Sequence, residues 1–189
     1  MKAVLAAAAL LLAPLAPLAQ AERADALKPL KVVGGNGTLD QVTQTVVLTG
    51  GVTATRGSML LKAERAEIKE AADGYKTIVL VAAPGKPASF RQKRDSGPEQ
   101  WDEGQAERIE YDERTEVVKF SSNAVIRQLE GRDVTREMGG EFIAYDARKE
   151  VLLNLNDASD VDRPGKGRVS FTFYPRRTAS AAQPEAGKQ

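Results

Sequence analysis

Residues 60–72 read Leu60-Leu61-Lys62-Ala63-Glu64-Arg65-Ala66-Glu67-Ile68-Lys69-Glu70-Ala71-Ala72, and whether this stretch is helix or strand decides the fold. Ala, Glu, Lys and Leu all favour a helix by intrinsic propensity. Two counterparts elsewhere in the chain overrule that preference. Ala63-Glu64-Arg65-Ala66-Glu67-Ile68 matches Ala106-Glu107-Arg108-Ile109-Glu110-Tyr111 and, more loosely, Gly140-Glu141-Phe142-Ile143-Ala144-Tyr145. Both counterparts carry β-branched or aromatic residues at the shared places, the composition of a pleated, half-buried surface. Residues 59–69 are therefore read as a strand.

A longer match begins just upstream. Asp40, Thr43, Val46, Leu48, Thr49 and Val52 recur without a gap, 72 positions later, as Asp112, Thr115, Val118, Phe120, Ser121 and Ala124. The chain is thus a degenerate repeat. Each copy holds a strand, a turn, a return strand and a further strand, a unit that cannot bury its apolar face alone and must stack on the next. Residues 42–49 and 52–55 read as short strands about a Gly50-Gly51 turn, and Arg56-Gly57-Ser58 turns the chain again. Residues 76–82, 87–93, 106–111, 115–120, 124–130, 141–146, 150–155 and 167–174 are further strands, separated by clusters such as Asp73-Gly74 and Pro84-Gly85. With about ten strands and no helix, the expected class is all-β, a sandwich of repeated antiparallel strands.

Side chains alternate along a strand, so Val46 and Leu48 share one face, and in the second copy Val118 and Phe120 take the same inward role with Lys119 outward. Met59, Leu61 and Ala63 share a face of the next strand. With Ile78, Leu80, Phe90, Ile126, Phe142 and Leu153, and with Thr55 added, these residues are the candidate lining of an interior. Each would serve equally as ordinary sandwich core.

The N-terminus has the form of a cleaved signal peptide. Lys2 supplies the positive start, residues 3–18 are only Ala, Leu, Val and Pro, and Ala19-Gln20-Ala21 is a small-x-small cleavage site. Pro14 and Pro17 interrupt a run already shorter than the roughly 20 residues a spanning helix needs. Removing residues 1–21 takes away Lys2 and no acid, so the chain's 27 basic and 26 acidic residues come into balance. A balanced charge offers no general attraction for nucleic acid. An exported chain with no Cys has no disulfide framework and relies on its core.

Catalysis is largely excluded by composition. Without His or Cys there is no usual general base, no thiol nucleophile and no common transition-metal ligand. Glu64 with Glu67 and Glu107 with Glu110 read as solvated strand faces, Asp157, Asp160 and Asp162 as an acidic turn rather than a calcium site, and Gly34-Gly35-Asn36-Gly37 as a turn without a phosphate loop. Arg91, Lys93 and Arg94 near Trp101 read as an exposed loop. No catalytic residue, metal or cofactor is expected.

Gly85-Lys86-Pro87-Ala88-Ser89-Phe90-Arg91-Gln92, followed by Glu103-Gly104-Gln105-Ala106 and Tyr111, resembles the middle of the OstA-like (LptA) family of periplasmic lipopolysaccharide-transport bridge proteins. Leu48-Thr49-Gly50-Gly51-Val52 and Ser121-Ser122-Asn123-Ala124 resemble its repeated turn, with Ser121-Ser122 in place of the usual Thr-Gly. The resemblance runs from about Gly37 to Pro175 of the 22–175 domain, leaving 176–189 as a polar tail of disordered composition. It implies a twisted, slightly open β-jellyroll that shields the lipid A acyl chains of lipopolysaccharide. It further implies head-to-tail strand addition between copies, with the LptC periplasmic domain at one end and the LptD N-terminal domain at the other. An LptC-like component is a rival of the same fold, disfavoured by the Ala-x-Ala site. Two further rivals are a scaffold filament that holds no lipid and a hydrolase of envelope sugars, the latter disfavoured by the missing His.

Overall fold

The computed structural model describes residues 25, 27–97, 99–155 and 168–175. The expected signal segment, the tail and the Asp157, Asp160, Asp162 cluster lie outside the described residues. Twelve strands are present among them: β1 Lys31–Val33, β2 Asn36–Asp40, β3 Thr45–Arg56, β4 Met59–Glu70, β5 Lys76–Val81, β6 Ala88–Lys93, β7 Gln100–Ala106, β8 Arg108–Asp112, β9 Val117–Glu130, β10 Asp133–Asp146, β11 Val151–Leu155 and β12 Ser170–Phe173. The helix-prone stretch is β4, as its counterparts require.

The strands form one continuous antiparallel sheet folded along a crease into two layers. The long strands β3, β4, β9 and β10 cross the crease and serve both layers. In the first layer the order is β2-β3-β4-β5-β8-β9-β10-β11, and in the second it is β1-β3-β4-β6-β7-β9-β10-β12. Strands 42–49 and 52–55, expected to be separate, are thus one strand, and so are 115–120 and 124–130. Gly50 and Gly51, at φ 80° and 77°, bend β3 without ending it. Ser122 and Asn123, at φ 64° and 54°, bend β9 at the repeat-equivalent place. Each pair faces a single residue of the neighbouring strand, Glu64 on β4 and Glu141 on β10, which makes each site a β-bulge.

The first-layer hairpins end alike. Asp40 Oδ1 accepts bonds from Val42 N (2.8 Å) and Thr43 N (3.1 Å), and Asp112 Oδ1 accepts from Arg114 N (2.9 Å) and Thr115 N (3.0 Å). Asp146 Oδ1 accepts from Lys149 N at 3.1 Å. The left-handed Gln44, Glu116 and Glu150 close the three turns. Side chains that bond their own turn backbone fix hairpin register locally.

Several strands lack the signal that marks the others. β7 reads QWDEGQA and the first half of β10 reads DVTREMGG, both polar or glycine-rich, and they become strands because β9 pairs with both. β1 and β2, short and mostly exposed, are held by β3.

Three expected interior positions fall on the outer face. Thr55 pairs with Leu60 and lies between the buried Ala54 and Arg56, which point inward. Phe142 points away from Ile143, because β10 exchanges faces at Glu141, where β9 sets two residues against one. Leu153, 45% exposed, pairs with Ala144, while its neighbour Leu152 pairs with the buried Tyr145 and faces in.

Candidate functional site: an apolar interior with a polar mouth

Antiparallel partners share a face, so register builds the interior row by row. One first-layer row runs Leu39, Val46, Ile68, Ile78, Tyr111, Val118, Tyr145, Leu152, and the next contains Leu48, Ala66, Leu80, Ile109, Phe120 and Ile143. The facing second-layer row runs Val32, Ala54, Leu61, Phe90, Gly104, Ile126, Met138, Phe171. Eleven of the expected lining residues therefore do face inward: Val46, Leu48, Met59, Leu61, Ala63, Ile78, Leu80, Phe90, Val118, Phe120 and Ile126.

The layers interlock through aromatic rings. Phe90 of the second layer meets Phe120 edge-on at 5.6 Å and Tyr145 at 6.4 Å. Gly104 makes room for this, since a Cβ there would lie 2.3 Å from the Phe120 ring. Midway along the sandwich the interior is closed, with Leu61, Ile78, Leu80 and Phe120 at 0% exposure. At the ends it is open: Leu39 on β2 is 57% exposed and Phe171 on β12 is 53% exposed, although both lie on the inward face. Among the described residues these outer strands have one free edge each, β1 and β2 at one end and β11 and β12 at the other.

Where the layers meet opposite the crease, the interior turns polar. Arg56, Gln92, Asp102 and Gln128 are all buried there. Arg56 crosses from the second layer to the first, donating to Tyr111 Oη at 3.3 Å and pairing with Glu113. Asp102 lies between Gln92 and Gln128 in register and has Arg94 Nε at 3.8 Å. Burial pushes its carboxyl up to about 6, against the pull of Arg94 and of nearby Gln128 and Tyr145. Burial also raises the Tyr111 hydroxyl. Gln92 and Gln128 were within reach of sequence reasoning, because alternation from Phe90 and Ile126 points them inward. Asp102 had no such signal, since β7 does not read as a strand.

The outer face carries the remaining motif. Arg91 lies over the Trp101 ring at 4.3 Å and pairs with Glu103. Glu67 and Glu110 pair outward with Arg65 and with Arg108 and Lys119. Neither carboxylate pair of the sequence forms an inward site.

Fold and interior define a class: a two-layered antiparallel jellyroll, apolar inside, whose end strands each keep one free edge among the described residues. The chain belongs to the family described as LptA/(LptD N-terminal domain) LPS transport protein, whose model matches residues 31–151. It is 29% identical over 157 residues, 83% of each chain, to the lipopolysaccharide export system protein LptA of Haemophilus influenzae. To the protein of the same name from Escherichia coli K12 it is 27% identical over 141 residues, 70% of this chain and 68% of that one. The fold is shared with LptH of Pseudomonas aeruginosa, described as the LptA-homologous periplasmic component of the lipopolysaccharide transport device. That match has a TM-score of 0.68 at 24% identity and covers 80% of this chain and 99% of that one.

Proposed function

We propose that the protein is a periplasmic carrier that holds the acyl chains of lipopolysaccharide inside the jellyroll and stacks head to tail to bridge the two membranes. One observation carries this reading: among the described residues the inward apolar face is continuous and runs out, uncovered, at both free edges, from Leu39 to Phe171. Burial is non-directional and scales with apolar area, so such a surface holds acyl chains without covalent chemistry. Cleavage after Ala21 would release the chain into the periplasm, and the free ends would meet the LptC periplasmic domain and the LptD N-terminal domain.

The repeat supports a definite joint between copies. β2 pairs with β3 as β8 pairs with β9, and β1 pairs with β3 as β7 pairs with β9. Likewise β11 and β12 sit on β10 as β5 and β6 sit on β4. Within the chain β5 meets β8 and β6 meets β7. The joint between copies is then β11 on β2 and β12 on β1 of the next protomer. Carrying the registers over sets Leu152 against the next copy's Leu39, and Phe171 against its Val32.

A photo-crosslinking residue at Leu61, which points inward, is expected to capture lipopolysaccharide, and one at outward Lys62 is not. Capture at neither position would favour the scaffold reading. Leu39→Cys and Leu152→Cys, mixed as two separate variants, are expected to form an intermolecular disulfide. Its absence would refute the proposed register.

A further inference from the structure

Two carboxylates are buried among the described residues, and their surroundings differ. Asp25, 3% exposed, accepts bonds from Ser58 N at 2.7 Å and from Lys28 Nζ at 2.9 Å. Asp102, 1% exposed, has no short, well-aligned bond to either oxygen: Arg94 Nε stands at 3.8 Å, and Gln128 and Tyr145 lie close enough to favour its charged form without offsetting its burial. A buried charge whose partners do not make up for its lost hydration opposes the folded arrangement around it.

The repeat supplies an internal control. Val32 pairs with Ala54 as Gly104 pairs with Ile126, and Ala54 and Ile126 are repeat equivalents. Counting back two residues along each strand, Leu30 stands in the first copy where Asp102 stands in the second. Leu30 packs against the apolar core. A leucine therefore satisfies the packing of this position, and the carboxylate at the second copy answers to something other than packing.

Asp102 also lies where the two layers could part. It is on β7, which belongs to the second layer alone, and it faces Tyr145 of the first. The groups around it come from every neighbouring element: Gln92 on β6, Arg94 after β6, Gln128 on β9, Tyr145 on β10 and Glu150 in the turn before β11. Opposite, the left-handed pairs Gly50-Gly51 and Ser122-Asn123 form the crease about which the layers would swing. With Leu61 and Phe120 at 0% exposure, an acyl chain reaches the middle of the interior only if the layers separate.

Resting on the carrier reading above, we propose that Asp102 is a release point: a buried carboxylate that weakens closure of this mouth so that β7 can part from the first layer and admit an acyl chain. Opening rehydrates the carboxylate and returns its pKa from about 6 toward 3.8. By linkage, the ionised form favours the open mouth by about two powers of ten over the neutral form.

The test compares the full mature chain with Asp102→Asn, which keeps the shape and removes the charge. The readouts are the urea midpoint at pH 7.5 and the rate of uptake of dansylundecanoate, a single-chain fluorescent probe. Asp102→Asn is expected to unfold at higher urea yet take up the probe roughly 10–100-fold more slowly. The wild-type rate is expected to fall as pH is lowered through about 6, with the variant's rate flat. Should Asp102→Asn fail to fold, Asp102→Leu, patterned on Leu30, and the wild-type pH profile carry the decision. A variant that is more stable but equally fast overturns the release role and leaves the carrier reading standing. A variant that is less stable and faster makes Asp102 a holding contact, which also overturns it. No uptake by the wild type at any pH overturns the carrier reading and this inference together.

Discussion

Phe90 and Phe171 occupy the same place in two halves of one molecule, each on the strand that flanks a long hairpin of the second layer. Phe90 is 2% exposed and Phe171 is 53% exposed. The difference is the next strand: β7 covers β6, whereas among the described residues β12 has no neighbour beyond it. The halves share a plan, and the second stops where the first is continued. Exposed aromatic surface beside a free strand edge is ordinarily an aggregation hazard, which the strand addition proposed above would cover.

That contrast can be broken at several places. Phe90→Ala is expected to cost roughly 3–5 kcal/mol by urea unfolding, as for other buried phenylalanines. Phe171→Ala is expected to leave the unfolding of the dilute monomer nearly unchanged and instead to weaken self-association measured by sedimentation. A large loss of monomer stability in the latter would mean that Phe171 is core already.

Leu30 against Asp102 gives the next largest effect. The Asp102 carboxyl, raised to about 6 by burial, binds its proton more tightly in the folded than in the unfolded chain. Stability is therefore expected to rise as pH falls from above 6 towards 4, by at most roughly 3 kcal/mol. In Asp102→Asn this rise disappears. Asp40 and Asp146, held below the usual carboxylate range chiefly by Thr43 and Lys149, act with the opposite sign and lose their contribution as pH falls below about 4.

The two bends sharpen the comparison at smaller scale. Gly51→Val forces a β-branched residue to φ 77° and is expected to cost roughly 1–3 kcal/mol. Asn123 tolerates the equivalent place because Asn is among the residues that enter the left-handed region, and its Nδ2 donates to Glu107 Oε1 at 2.7 Å. Asn123→Ala is expected to cost about 1 kcal/mol in a thermal melt. Asn123→Gly, with no backbone strain to carry, is expected to cost less than the alanine variant.

Much of this was legible in the chain itself. The repeat of Asp40–Val52 at Asp112–Ala124 identified two equivalent hairpins, the match of Ala63–Ile68 to Ala106–Tyr111 and Gly140–Tyr145 turned helix-prone β4 into a strand, and alternation put Val46, Leu48, Val118 and Phe120 inside. Alternation failed where the pleat was interrupted or where both faces were apolar. Phe142 is displaced by the bulge at Glu141, and β11, reading VLLNL, has leucines of both parities, so Leu153 cannot be separated from Leu152 without its partner strand. Thr55 was misplaced because it follows the bend, and its face is fixed by Ala54 and Arg56 beside it. The polar mouth was hidden for another reason: Asp102 lies on a strand that exists only because β6 and β9 flank it.

The equivalence of the inner junction and the free ends has a kinetic meaning. If the joint between protomers copies the joint within them, a passenger sliding along the stack meets the same backbone register every half molecule, while the side chains alternate, with Asp102 and Gly104 at the inner junction and Leu30 and Val32 at the outer one. The boundary would then differ from the protein's own midline in its side chains and not in its strand geometry, and the slower of the two kinds of junction, repeated along the stack, would set the transit time.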